Sequence, residues 1–162
     1  MGIKAQFSTV FDFATVTSAG RSTRSFRRYP FCSTWSTVLG SASDSMYRIV
    51  TQPATWLDAE RTCERDGNHL VVLDHSIENT AVVRTHAGGS WLGLTDRVRP
   101  DEDWLVVNDD RFAVANWRRD EPNLPGPGCV IARTDGNEDA DCAEMLPYIC
   151  ECDGLPADPG TY

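Results

Sequence analysis

No apolar run in this sequence approaches the roughly 20 residues a membrane-spanning helix needs, so the chain carries no candidate for such a helix. Positive charge is scarce: 15 Lys and Arg stand against 24 Asp and Glu, a net charge of −9. That balance argues against a nucleic-acid partner, whose binding depends on neutralising phosphates. Histidine is scarce as well. His69, His75 and His86 lie away from the cysteine-rich end, and no two cysteines are spaced Cys-x-x-Cys, which speaks against a structural zinc site. Gly-x-Ser-x-Gly, phosphate-loop and zinc-protease motifs are all missing. Enzyme chemistry is therefore left without a nucleophile or a base, and the chain is read as a non-enzyme.

What is present is ordinary globular material, 162 residues with 41% hydrophobic and 24% charged, enough for one core with tails. Charge is uneven: residues 1–44 hold five basic and two acidic side chains, so the remainder is strongly acidic. The six cysteines, at 32, 63, 129, 142, 150 and 152, permit fifteen pairings. Disulfides suit them better than metal, which implies an oxidising, secreted or extracellular setting. An export signal requires an unbroken apolar stretch. Phe7 to Val16 is interrupted by Ser8, Thr9 and Asp12, and the run from Arg27 through Trp35 to Ala42 is too polar. Residues 1–44 are read as a flexible extension or a processed leader, 45–152 as the domain, and 153–162, with Pro156 and Pro159, as a C-terminal tail.

Along the domain, Tyr47, Ile49 and Val50 suggest a strand, and Thr55 with Asp58 three residues on marks a helix start. Trp56, Ala59 and Cys63 share a face of that helix, and Gly67 closes it. His69 to Leu73 reads as a buried strand and Ser76 to His86 as a second helix, with Ile77, Ala81 and Val82 inward. Trp91 to Leu94 is a third buried segment. Trp104 to Val107 and Arg111 to Val114 flank the turn signal Asn108-Asp109-Asp110. Between Asn116 and Gly128, Pro122, Pro125 and Pro127 with two glycines preclude helix and central strand, and a long loop of this kind is usually functional. Strands resume at Cys129 to Arg133 and Pro147 to Glu151, with an acidic loop from Asp135 to Asp141 between them.

The helix ending in Cys63, the Trp91-Leu92-Gly93-Leu94 strand, Asn116-Trp117 leading to Glu121-Pro122-Asn123, and the Cys129, Cys142, Tyr148-Ile149-Cys150 ending resemble a C-type lectin-like domain. The resemblance covers Tyr47 to Cys150. It implies an α+β fold of two helices and two small antiparallel sheets, stabilised by disulfides, with a long ligand-binding loop region and adjacent chain ends. It also implies the bridges Cys63–Cys150 and Cys129–Cys142, which in the chain-entropy account contribute roughly 4 and 3 kcal/mol. Cys32 and Cys152 are left over, and adjacent ends would let them pair. Trp91, Trp104 and Trp117 read as core residues rather than sugar-stacking platforms.

In that family a calcium ion, which takes six to eight oxygens, is held by carboxylates and amides and completed by sugar hydroxyls. By resemblance, Glu121 and Asn123, turned to one side by a cis peptide before Pro122, form half of the site in the order associated with mannose-type sugars. The other half falls on Glu138 and Asp139, where the family usually has Asn-Asp. Asn137 replaces a tryptophan, and Pro127 replaces a glutamate usually found two residues before the Cys129 position. The metal and sugar ligands implied are thus Glu121, Asn123, Glu138 and Asp139, three carboxylates and one amide. Glutamate accepts hydrogen bonds only, so the change at Glu138 bears more on sugar than on metal. An auxiliary calcium site is not expected, since only Asp96 and Asp101 remain while Pro100 and Leu124 fill other ligand places. An EF-hand reading of Asp135 to Asp141 fails, with Ala140 at the glycine position and Leu146 at the glutamate position. Two functions follow: calcium-dependent binding of mannose-type carbohydrate, or a metal-independent protein-interaction module using the loop from Arg118 to Gly128.

Overall fold

The computed structural model describes Cys32 and residues 45–73, 80, 88–99, 104–108 and 116–162. The elements are strand β1 (Met46–Ala54), helix α1 (Trp56–Glu64), β2 (His69–Leu70), β3 (Ser90–Thr95), β4 (Leu105–Val106), β5 (Cys129–Arg133), β6 (Gly136–Ala140) and β7 (Leu146–Cys152). The second helix expected over Ser76 to His86, the strand at Arg111 to Val114 and nearly all of residues 1–44 lie outside the described residues.

Helix α1 begins and ends where its local chemistry dictates. Thr55 Oγ1 accepts from the Asp58 N–H at 3.3 Å and donates to Asp58 Oδ2 at 2.9 Å, which satisfies a first-turn donor. At the other end Gly67, at φ 77°, donates to the Glu64 carbonyl while Asn68 donates to that of Cys63, a Schellman closure. Trp56, Ala59 and Cys63 are buried as their spacing requires, and so is Glu60. Both buried indoles find acceptors, Trp56 Nε1 on Leu92 O at 2.7 Å and Trp91 Nε1 on Ala54 O at 2.9 Å.

The strands follow the order β1-β7-β3-β5-β6, with β2 also on β7 and β4 also on β3. Two antiparallel groups are visible, β1 and β2 on β7, and β4 and β5 on β3 with β6 beyond. They are the two small sheets that the resemblance implies, joined into one by a parallel contact of Trp91 with Tyr148. Every residue of β3 is buried, as a central strand covered on both faces should be. The ladder at β2 stops at Leu70, although Val71 to Leu73 stay buried.

Two expectations change. The acidic stretch read as a loop contains β6, paired residue for residue with β5 from Cys129↔Ala140 to Arg133↔Gly136. The C-terminal stretch packs on the domain: the Asp158 N–H donates to Val107 O at 2.5 Å, Thr161 is buried, and the Tyr162 ring meets Trp56 edge-on at 5.7 Å. Covalent closure comes from Cys63–Cys150, Cys129–Cys142 and Cys32–Cys152, with Cα separations of 5.4, 5.1 and 6.5 Å, within the range a bridge spans.

Candidate functional site

The site is built where the proline-rich loop folds back on the β5–β6 hairpin. Residues 116–118 run beside the start of β6: Arg118 N donates to Asn137 O at 2.8 Å, and Asn137 N to Asn116 O at 2.8 Å. Gly136 permits the approach. It sits at φ 133°, and a Cβ there would lie 2.9 Å from Arg118 N and 3.0 Å from Asn116 O. Trp117 packs on Trp104 at 5.1 Å between ring centres, and Cys129–Cys142 anchors the far side of the hairpin.

From this base the chain turns through Asp120 into a cis Glu121–Pro122 peptide. Asp139, on β6, pins the turn from below, with Oδ1 accepting from Asn123 N at 2.8 Å and Oδ2 from Leu124 N at 2.7 Å. Asn123 Nδ2 donates to Asp120 O at 3.3 Å, which leaves the side-chain carbonyl as an acceptor. The neighbouring Asp139 carboxyl, then burial and the charge of Glu138, raise the Glu121 pKa above its ordinary value, against the pull of Arg118. Burial works against the charge on Asp139, but Glu121 beside it and the bonds from the Asn123 and Leu124 N–H groups outweigh it and hold its pKa down. Glu121 Oε2 is buried with no hydrogen-bond partner among the described residues.

Glu138 is oriented differently. Its Oε1 accepts from Arg133 Nε at 2.6 Å and Nη2 at 2.5 Å, and its Oε2 pairs with Arg118 Nη1. Arg118 Nε also reaches Asp135 at 3.2 Å, and Arg133 Nη1 donates to Gly88 O. Arg133 lies two residues beyond Ile131, which faces Glu138 across the ladder, so the two form a diagonal cross-strand pair.

Of the four residues implied as ligands, Glu121 and Asn123 lie on the turn and Asp139 on the strand beneath it, with Asp139 bonded to the Asn123 N–H and the Asn123 side-chain amine bonded to Asp120 O, while Glu138 sits between two guanidinium groups. A cation fits beside Glu121 and Asp139, because an orphaned buried carboxylate oxygen beside a second carboxylate is costly without a counter-charge. It does not fit Glu138 in this rotamer. Among the described residues no three His, Cys, Asp or Glu side chains form a ready metal cage. Asp96 Oδ1 accepts from the Gly128 N–H at 2.5 Å, tying the start of β5 to the end of β3, while Asp101 lies outside the described residues. Sequence reasoning missed Arg118 and Arg133. Residues 136–140 carry no β-branched or aromatic residue to signal the strand whose pairing places Arg133 against Glu138.

A family model described as the Lectin C-type domain matches residues 52–152, more than half of the chain. Mouse (Mus musculus) C-type mannose receptor 2 is 30% identical over 117 residues, covering 67% of this chain but 8% of the receptor. Rat (Rattus norvegicus) asialoglycoprotein receptor 1 is also 30% identical over 117 residues, 66% of this chain and 40% of its own length. The chain thus spans less than half of either relative. Among solved structures, the carbohydrate-recognition domain of the mouse scavenger receptor C-type lectin superposes with a TM-score of 0.62 at 26% identity, covering 74% of this chain and 95% of that domain. A calcium-dependent type II antifreeze protein in its calcium-free form, at 19% identity and TM-score 0.61, shares the fold. With its disulfides, its mixed sheet and its loop held over the β5–β6 hairpin, the chain belongs to the C-type lectin domain family.

Proposed function

We propose that this domain binds carbohydrate in a calcium-dependent manner through Glu121, Asn123 and Asp139, in an extracellular setting. The observation that carries the reading is the pair formed by Glu121 and Asp139, with one buried Glu121 oxygen lacking a hydrogen-bond partner among the described residues. Calcium, when bound, supplies a positive centre whose coordination sugar hydroxyls complete. The chain's own part is to fix the donors. Asp139 holds the loop through two backbone N–H groups, and Asn123 offers a carbonyl to a metal and an amine to a sugar oxygen. The Glu121-Pro122-Asn123 order supports mannose-type sugars, in keeping with the name of one relative, a mannose receptor. Three disulfides support an oxidising location.

A second reading has its own observation. Glu138 is neutralised by Arg118 and Arg133 without any metal, which favours a metal-independent protein-interaction module using the loop from Arg118 to Gly128. Thermal unfolding in millimolar calcium against EDTA separates the two, because a ligand bound only to the native state raises its stability. The lectin reading expects a higher midpoint with calcium and EDTA-sensitive retention on mannose resin. An unmoved midpoint would reject it in favour of the second reading.

A further inference from the structure

Arg118 stands at the edge of the carboxylate cluster, held by its own backbone rather than by chance of rotamer. Its N–H bonds to Asn137 O, and the bare Cα of Gly136 leaves just enough room for its backbone and Cγ. From there its guanidinium reaches Glu138 and Asp135, and its charge is felt at Glu121. Arg133 holds the other Glu138 oxygen. A carboxylate with both oxygens in charge-assisted bonds to arginine is already neutralised, so a second cation has to compete with the guanidinium groups for it. The paired side chains are only partly exposed, 37% for Arg118, 30% for Arg133 and 15% for Glu138, so solvent screens them less than an open surface pair.

We infer that Arg118 is a resident cation of this site, which withholds Glu138 from the calcium donor set and thereby sets how tightly the domain takes calcium. The inference rests on the calcium-dependent reading above and adds a residue that controls it. For the Glu138 oxygen that Arg118 holds, two cations compete: a tethered guanidinium always in place, and calcium from solution. Affinity of a calcium site rises with the number of charged ligands it presents. Removing the guanidinium should therefore turn Glu138 from a bystander into a ligand.

The test is calcium titration of the folded domain, followed by the unfolding midpoint and by tryptophan fluorescence, for wild type, R118Q, E138Q and R118Q/E138Q. R118Q should bind calcium about tenfold more tightly than wild type. In the E138Q background the same substitution should gain no more than about threefold, the share owed to general charge. A gain of equal size in both backgrounds, or none in R118Q, overturns the inference. Calcium binding by wild type without tightening in R118Q leaves the lectin reading standing and rejects only the role of Arg118. Binding by R118Q alone rejects the lectin reading for the natural chain and upholds the inference, and binding by neither rejects both. Near-UV dichroism in EDTA checks folding. If R118Q does not fold, R118M, which keeps the aliphatic stem and also removes the charge, carries the same comparison with the same expected gain.

Discussion

The backbone N–H of Leu70 donates to Glu60 Oε2 at 2.8 Å, joining helix α1 to strand β2 inside the core. Glu60 is fully buried, and its other oxygen has no hydrogen-bond partner among the described residues. Burial pushes its pKa up to about 7 from 4.5, against the Leu70 bond and the charge of His69. The folded state therefore holds this proton more tightly than the unfolded chain. Stability contributed by the protonated form is present below pH 4.5 and falls as pH rises to about 7, by at most ~3 kcal/mol at about 1.4 kcal/mol per pH unit. E60Q keeps an acceptor for Leu70 and removes the charge. Urea unfolding should show it more stable than wild type at pH 8, with the slope between pH 5 and 7 reduced.

His69 works in the next pH window. Its Nδ1 meets Leu70 O at 2.7 Å and its Nε2 meets Asp153 Oδ1 at 3.2 Å. Burial disfavours its charge, but the bond to Asp153 and the charges of Glu151 and Asp153 outweigh this and raise its pKa to about 9 from 6.5. The stabilisation is complete below pH 6.5 and is lost as pH rises through about 9, again at most ~3 kcal/mol. D153N removes the hydrogen-bonded carboxylate. It should cost stability at pH 6 and much less at pH 10, and the His69 imidazole should titrate at lower pH when followed by NMR.

Asp139 carries a prediction that needs no calcium. In D139N one oxygen still accepts, but the amide nitrogen faces a backbone N–H in place of the other. Losing that bond and opposing two donors should cost about 1–3 kcal/mol. In EDTA, hydrogen exchange at Asn123 and Leu124 should accelerate while the amides of β3 stay protected. Uniform acceleration across the domain would show that the loop and core unfold together.

The disulfides should rank by the loops they close. Cys63–Cys150 spans 87 residues and Cys129–Cys142 spans 13. Loop-closure entropy then makes C63A/C150A the costlier pair, at roughly 4–5 kcal/mol against roughly 3 kcal/mol for C129A/C142A. Denaturant unfolding of the two variants measures the order, and a reversal would show that packing around the short bridge, not chain entropy, dominates.

Much of this was legible in the residues. Helix α1 was announced by Thr55, Asp58 and Gly67, and the loop was announced by its prolines, because caps and breakers act within a few residues. Strand β6 was not. Gly136-Asn137-Glu138-Asp139-Ala140 has none of the β-branched or aromatic residues that favour strands, and its form comes from pairing with β5 on one side and residues 116–118 on the other. The three donors proposed for the site, Glu121, Asn123 and Asp139, lay in recognisable motifs. The diversion of Glu138 did not, since it depends on Arg118, 20 residues away in sequence, lying across a glycine. Nor does periodicity foretell a buried Glu60, which adjoins the apolar stripe and is drawn inward by a single backbone donor.

In the strand order, β1 and β6 occupy opposite margins of the sheet. Four strand spacings separate them, about 19 Å. Met46 pairs with Cys152 at the first margin, whereas Asp139 lies on the second. A support gripping the polypeptide near Met46 or Cys152, whether a sensor chip or a neighbouring molecule, would leave the carboxylate margin turned outward and open to glycans.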